Sequence, residues 1–228
     1  RHEHLEHIRR VLERLQQSGL SINLAKCEFG RQEVEFLGHR VNKHGVTPLP
    51  SKVEAIKAFN KPNTVQGLQE FVGMVNFYHR FVPAAAGIMR PLYQALAGKP
   101  RELRWTTEMD IAFEESKSAL ASATLLVHPS VDAPTALTVD ASDIAIGGVL
   151  EQYSKGSWRP LAFFSRQLRA PERKYSAFDQ ELLTLHLIRH FRYFLEGRVF
   201  AAFTDHRPLT FGFANVSDPW SARQQCHL

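Results

Sequence analysis

The strongest constraint on the fold is a change of hydrophobic period after HPSVDAP. From residue 134 onward, ALTVD, DIAIGGVL and WRPLAFFS read as successive strands separated by short turns. YSAFDQELLTLHLIRHFRYFL then carries a helical period for about twenty residues, and RVFAAFTD supplies a fourth strand. The order strand, strand, strand, helix, strand predicts a mixed sheet with a helix packed on it.

Upstream the pattern is mostly helical. Leu5, Ile8, Val11, Leu12 and Leu15 make one apolar helix face over residues 4–18, and Gly19 is placed to end it. EVEFLGHRV reads as a hairpin, with Val34, Phe36 and Leu37 alternating with polar groups and NKHG as the turn. Residues 51–97 read as a small helical unit, with Ser51 as N-cap of SKVEAIKAF and Leu68, Phe71, Val72 and Val75 on one side of the next helix. Pro91 marks a break or a fresh helix start, and another helix is predicted over 107–122. No internal repeat or low-complexity tract is present.

A chain of 228 residues with 44% hydrophobic content can bury real cores. Lys and Arg number 28 against 23 Asp and Glu, a mild excess that suits a polyanionic partner without demanding one. Cys27 and Cys226 lie too far apart to suggest a disulfide framework or a Cys-based zinc site, so two free thiols in a reducing compartment are expected. No apolar run approaches the roughly 18 residues that span a bilayer, and RHEHLEHIRR lacks the apolar core of a signal peptide. A protein inside the cell, with no membrane partner, is the expectation. Arg at position 1 and the ending QQCHL suggest an excerpt from something longer.

Three acids stand where an acid is awkward. Asp140 follows Leu137 and Val139, and Asp205 follows Ala201 and Phe203, so both emerge where a strand leaves the sheet. Glu181 falls near the middle of the buried arc Phe178, Leu182, Leu185, Ile188, Phe191 and Leu195. An unpaired buried charge costs several kcal/mol, so Glu181 needs a cation, an arginine or a raised pKa. Any one of the acids has a bland reading, since Asp is common in turns and caps. Three converging carboxylates, however, can hold two Mg²⁺ ions about 4 Å apart and hydrolyse phosphodiesters.

Other motifs are weaker. His2, His4 and His7 crowd the first helix, and His186 and His190 stand four apart, a zinc-compatible spacing. HLIRH lacks the adjacent Glu of a metalloprotease, and both histidines fall outside the buried arc, so they read as solvated. Asp143 reads as a turn residue or one supporting the metal site from outside. IGGV is not a phosphate loop but a strand with small residues where something packs closely.

TVDASDIAIGGVL, RPLAFFSRQL, ERKYSAFDQELL and FTDHRPL together resemble the ribonuclease H domain of gypsy-type long-terminal-repeat retrotransposon polyproteins. FLGHRVNKHGVTPLPSKVEAI and LQEFVGMVNFYHRFVP resemble the reverse transcriptase just before that domain. The resemblance implies a multi-domain α+β or α/β chain: 1–50 the end of the palm with the primer-grip hairpin, 51–98 a helical thumb, 99–133 a connection, and 134–228 a C-terminally incomplete ribonuclease H-like domain.

By the same resemblance Asp140, Glu181 and Asp205 are the catalytic residues and bind two Mg²⁺ or Mn²⁺ ions. The substrate would be the RNA strand of an RNA/DNA hybrid, with template–primer duplex held by the upstream half and the rest of the parent polyprotein as partner, in the cytoplasm or within retroelement particles. Phe36, Leu37, Gly38 and His39 would grip the primer terminus, and Lys61 and Arg80 would meet phosphates or merely solvate a face. Phe77, Tyr78 and Phe81 read more readily as helix core than as stacking platforms.

Departures from the family pattern are specific. Its fourth metal ligand lies well downstream of the third acid, and neither Asp218 nor His227 matches that position. Asp179 stands where the family often has Glu, and the polymerase's Tyr-x-Asp-Asp is absent from the chain. A catalytically incomplete copy that only binds duplex nucleic acid is the alternative, and a scaffold for another polypeptide's active site a third.

Overall fold

A computed structural model of the protein describes residues 2–98, 100–184 and 186–204, with the backbone alone at 177, 178 and 181. The chain divides into two compact units, Arg1–Val34 and Glu35–Leu228. Among the described residues no helix is long and apolar enough to cross a membrane.

The first unit is dominated by α1 (His2–Gln17). Exposed i,i+4 pairs, Arg9 with Glu13 at 2.8 Å and Arg10 with Glu6 at 3.0 Å, line its polar side. Gly19 ends it at φ +72°, with the Leu20 amide donating to Leu15 O and the Gly19 amide to Gln16 O, the pairing of a Schellman cap. A 3₁₀ turn at Leu24–Lys26 follows, its Ala25 amide donating to the Asn23 side chain.

A three-stranded sheet in the order β1-β2-β3 is formed by β1 (Glu33–Phe36), β2 (His39–Asn42) and β3 (Gly45–Pro48). Two hairpins therefore stand where one was predicted. Leu37 is not a strand residue: Leu37 and Gly38 have φ of +47° and +78°, and positive φ at both central positions makes the tight turn whose twist matches its strands. Gly45 is required at the second turn, because a Cβ there would lie 2.1 Å from the Leu126 carbonyl oxygen.

The helices α2 (Pro50–Lys57), α3 (Val65–Phe77), α4 (Ala85–Ile88), α5 (Arg90–Leu96) and α6 (Thr107–Ala121) come next. Thr64 and Thr106 cap α3 and α6 through their hydroxyls. The cap expected at Ser51 is instead Leu49, since Pro50 supplies the preset φ of a first helical residue. Pro91 sits in the first turn of α5, where a missing N–H costs nothing. One apolar core holds the group, with Phe71 against Phe113 at 4.4 Å between ring centroids and Leu68, Phe81, Leu92 and Leu120 fully buried.

The second sheet has the order β6-β5-β4-β7, from β4 (Thr135–Ala141), β5 (Ala145–Ser154), β6 (Ser157–Gln167) and β7 (Phe200–Phe203). β4, β5 and β6 are antiparallel neighbours, and β7 lies parallel to β4. Leu137 and Val139 face α7 (Ala177–Leu183), α8 (His186–His190) and α9 (Arg192–Leu195) in a second core with Leu183, Leu187 and Phe191. The single long helix predicted here is three short ones. Bonds spanning three residues, Leu187 N to Thr184 O and Phe194 N to Phe191 O, both 2.8 Å, tighten the joints. Between the sheets, Leu126 exchanges both backbone bonds with Val46, and the Val127 amide donates to Pro160 O on β6 at 3.0 Å.

Candidate functional site

Strand alternation sets the position of Asp140. Leu137 and Val139 are buried under the helices, whereas Thr138 and Asp140 are exposed on the other face of β4. The Asp140 carboxylate has no hydrogen bond or ion pair among the described residues. Its register partner on β5 is Gly147, and the next in that row, on β6, is Ser165. The following turn is closed by Ser142, whose hydroxyl bonds Ala145 O and the amides of 144 and 145, leaving Asp143 exposed at the bend.

Glu181 belongs to α7, which contacts β4 and β5, although its side chain is outside the described structure. Its neighbours Gln180, Leu182 and Leu183 are buried. Asp205 lies outside the described residues; the chain reaches it from the end of β7, whose Phe203 pairs with Thr138 in the parallel ladder. Among the described residues no three His, Cys, Asp or Glu side chains gather as a cation site. A set of three carboxylates would be hard oxygen donors, the type that suits Mg²⁺ or Mn²⁺, and the exposed carboxylate of Asp140 is free to take part.

Four of the predicted duplex-contacting residues, Phe36 to His39, lie at a second locality. Phe36 and Leu37 are 62% and 72% exposed at the tip of the β1–β2 turn, with Phe77 exposed beside it. His39 sits in an aromatic nest, its ring 5.3 to 5.6 Å from those of Phe77, Tyr78 and Phe81. Tyr78 and Phe81 are buried, as a core reading predicts, whereas Phe77 departs from that reading because it lies on the outer side of the end of α3; Tyr78 also has a role that periodicity does not signal. Its hydroxyl donates to the Gly38 carbonyl at 3.0 Å, and a Cβ on Gly38 would come within 2.8 Å of that oxygen.

Lys61 is paired with Asp110 and lies 4.5 Å from the centre of the Trp105 ring, whose N–H in turn donates to Pro62 O at 2.8 Å. Arg80 is exposed, with its guanidinium 5.2 Å from the Phe81 ring. His186 and His190 are exposed as expected, and His190 packs on Phe164 at 4.3 Å. Burial and the neighbouring His79 and His186 push its imidazole below the ordinary value. Asp179 and Ser176 bond each other at the start of α7, Ser176 Oγ donating to the carboxylate and receiving the Asp179 amide.

A mixed sheet with three antiparallel strands, a fourth strand parallel to the first, α7–α9 packed on one face and an acid on an inner strand has the arrangement of a ribonuclease H-like domain. Residues 105–202 match the RNase H-like domain found in reverse transcriptase. Over 225 residues the chain is 32% identical to the Transposon Tf2-3 polyprotein of Schizosaccharomyces pombe, covering 97% of this chain and 17% of that polyprotein. A foamy viral protease-reverse transcriptase dRH in complex with double-stranded DNA has the same fold, with a TM-score of 0.78 and 23% identity over 99% of this chain and 40% of that one. The foamy viral protease-reverse transcriptase in complex with RNA/DNA hybrid gives 0.77 and 26% over 99% and 31%.

The chain is similar to a segment of retrotransposon polyproteins, and within it residues 105–202 match the RNase H-like domain of a reverse transcriptase. It spans 17% of the length of the curated relatives it matches.

Proposed function

We propose that this chain hydrolyses the RNA strand of RNA/DNA hybrids through Asp140, Glu181 and Asp205, while its upstream half grips template–primer duplex. Residues 1–50 would be the end of the palm, 51–98 the thumb, 99–133 the connection and 134–228 the ribonuclease H-like domain. The observation that carries the reading is the parallel β4–β7 register. Thr138 pairs with Phe203, and Asp140 and Asp205 each follow two residues later. Two acids from distant parts of the sequence thus continue from one pair of neighbouring residues, and α7, the helix that carries Glu181, packs against the same strand.

Asp140, Glu181 and Asp205 would hold two Mg²⁺ or Mn²⁺ ions. Those ions supply water activation and charge stabilisation at the departing 3′ oxygen. The protein's share is to fix three anionic oxygens on a packed sheet and helix, so that little reorganisation is needed at the moment of reaction. At the other locality, Phe36 and Leu37 would present apolar contact to the primer end on a turn held from behind by Tyr78, with Gly38 and His39 completing the grip. Arg80, exposed and without an ion-pair partner among the described residues, is the better candidate for a phosphate contact than Lys61, which Asp110 already neutralises. A hybrid-bound protein of similar fold supports this choice of substrate.

The test is Mg²⁺-dependent release of labelled fragments from the RNA strand of a hybrid by the chain and by Asp140→Asn. Release by the first alone is expected. Equal release by both would remove Asp140 from the site, and hybrid binding without cleavage by either would leave a duplex-binding protein.

A further inference from the structure

IGGV places two glycines side by side in the middle of β5, and they stand there for different reasons. Glycine weakens a strand interior, since it adds no packing and loses the most backbone freedom on folding. Gly148 has a structural reason. A Cβ there would lie 2.4 Å from Leu187 Cδ2 and 2.6 Å from the Thr138 carbonyl oxygen, so α8 can close on the sheet only over a bare backbone.

Gly147 has no such reason. Its φ is not in the left-handed region, and the nearest atoms to an added Cβ are Phe164 O at 3.4 Å and Ser165 Cβ at 3.9 Å, ordinary contact distances. The fold would accept alanine. What distinguishes the position is its row: Gly147 stands directly between Asp140 on β4 and Ser165 on β6, on the face turned away from the α7–α9 helices. The far side of that row is fixed, because Ser165 Oγ accepts the Ala86 amide at 2.9 Å and Gln167 Nε2 donates to Ala86 O at 3.3 Å, tying the start of α4 to β6. The space over Gly147 is thereby bounded by a carboxylate on one side and an anchored helix on the other.

We propose that Gly147 is a positioning residue that keeps this space clear for the sugar-phosphate backbone of the cleaved strand, which passes over it to reach Asp140. This rests on the metal-site reading of Asp140 and adds the path by which the phosphodiester approaches. A methyl group at 147 would lift the strand by about an ångström or more, enough to cost about tenfold or more in productive engagement.

Three variants of the full chain separate the possibilities: Gly147→Ala, Gly148→Ala and Asp140→Asn. Thermal melting gives Tm, Mn²⁺ alone is titrated by electron paramagnetic resonance, and an RNA/DNA hybrid is titrated by fluorescence anisotropy in Ca²⁺ and in EDTA. For Gly147→Ala the expected result is an unchanged or higher Tm and unchanged Mn²⁺ binding, with the Ca²⁺-dependent gain in hybrid affinity reduced about tenfold. A full metal-dependent gain in Gly147→Ala, while Asp140→Asn loses it, would overturn the role of Gly147 and leave the metal site standing. A Tm loss as large as that of Gly148→Ala would also overturn it, by showing that the glycine serves packing. Unchanged Mn²⁺ binding in Asp140→Asn would instead strike the underlying metal reading.

Discussion

The Tyr78 hydroxyl donates to the carbonyl of Gly38, forty residues earlier in the chain, and so joins the end of α3 to the tip of the β1–β2 turn. The turn's two positive-φ residues are held from behind by a buried phenol, while Phe36 and Leu37 are left facing solvent. Tyr78→Phe keeps the ring packing on His39 and Phe81 but removes this bond. It should cost about 1 kcal/mol in a denaturant melt and weaken duplex binding, with hybrid cleavage less affected. Equal loss in both assays would show that the turn and the nuclease site do not act separately.

Gly148→Ala should destabilise by about 1–3 kcal/mol, the usual range for overpacking. The Leu187 methyl can rotate away, but the Thr138 carbonyl belongs to a central strand and cannot. A midpoint shift in chemical denaturation without a change in slope is the expected readout.

Arg166 and Glu172 give stability a pH dependence. Burial alone would raise the Glu172 carboxyl, but the Arg166 guanidinium at 2.7 Å and the Arg169 amide at 2.7 Å outweigh it and hold the group below the ordinary value. A depressed folded pKa means the stabilisation is complete above the unfolded value of about 4.3 and is lost as pH falls through the folded one. Glu172→Gln should therefore cost about 2 kcal/mol at neutral pH, and the gap from the unaltered protein should close as the solution is made acid. A gap that persists unchanged below the folded pKa would assign the loss to packing.

Arg80→Ala and Lys61→Met should differ in kind. If Arg80 meets a phosphate, its removal lowers the slope of log K against log salt for duplex binding by about 1. Lys61 is occupied by Asp110 and Trp105, so its removal should leave that slope alone and cost about 0.5–1 kcal/mol of stability. The reverse pattern would exchange their roles.

Much of the architecture is legible where period and punctuation agree. The strands β4 to β7, the helix over 107–121 and the fresh start at Pro91 follow from alternation, helical spacing and the missing proline N–H. Legibility fails where a local rule meets a stronger one. Pro50 displaces the cap expected at Ser51, positive φ takes Leu37 out of its strand, and bonds spanning three residues divide the helix predicted over 175–195. Of the three acids, Asp140 lies on its expected strand and position 181 on its expected helix, with the Glu181 side chain and all of Asp205 outside the described residues. The Tyr78 bond and the pairing of Lys61 with Asp110 join residues too distant in sequence for periodicity to bring together. The glycine doublet is visible in the sequence, but its two halves are told apart only by what an added carbon would touch.

Leu126 and Val127 hydrogen-bond to β3 on one side and to β6 on the other. A single dipeptide therefore serves as a weld between the two sheets, and sliding one past the other would break backbone bonds at both seams. Bending within the unit Glu35–Leu228 must be sought elsewhere along the chain, and strain applied at one sheet is passed to its neighbour through two consecutive peptide groups.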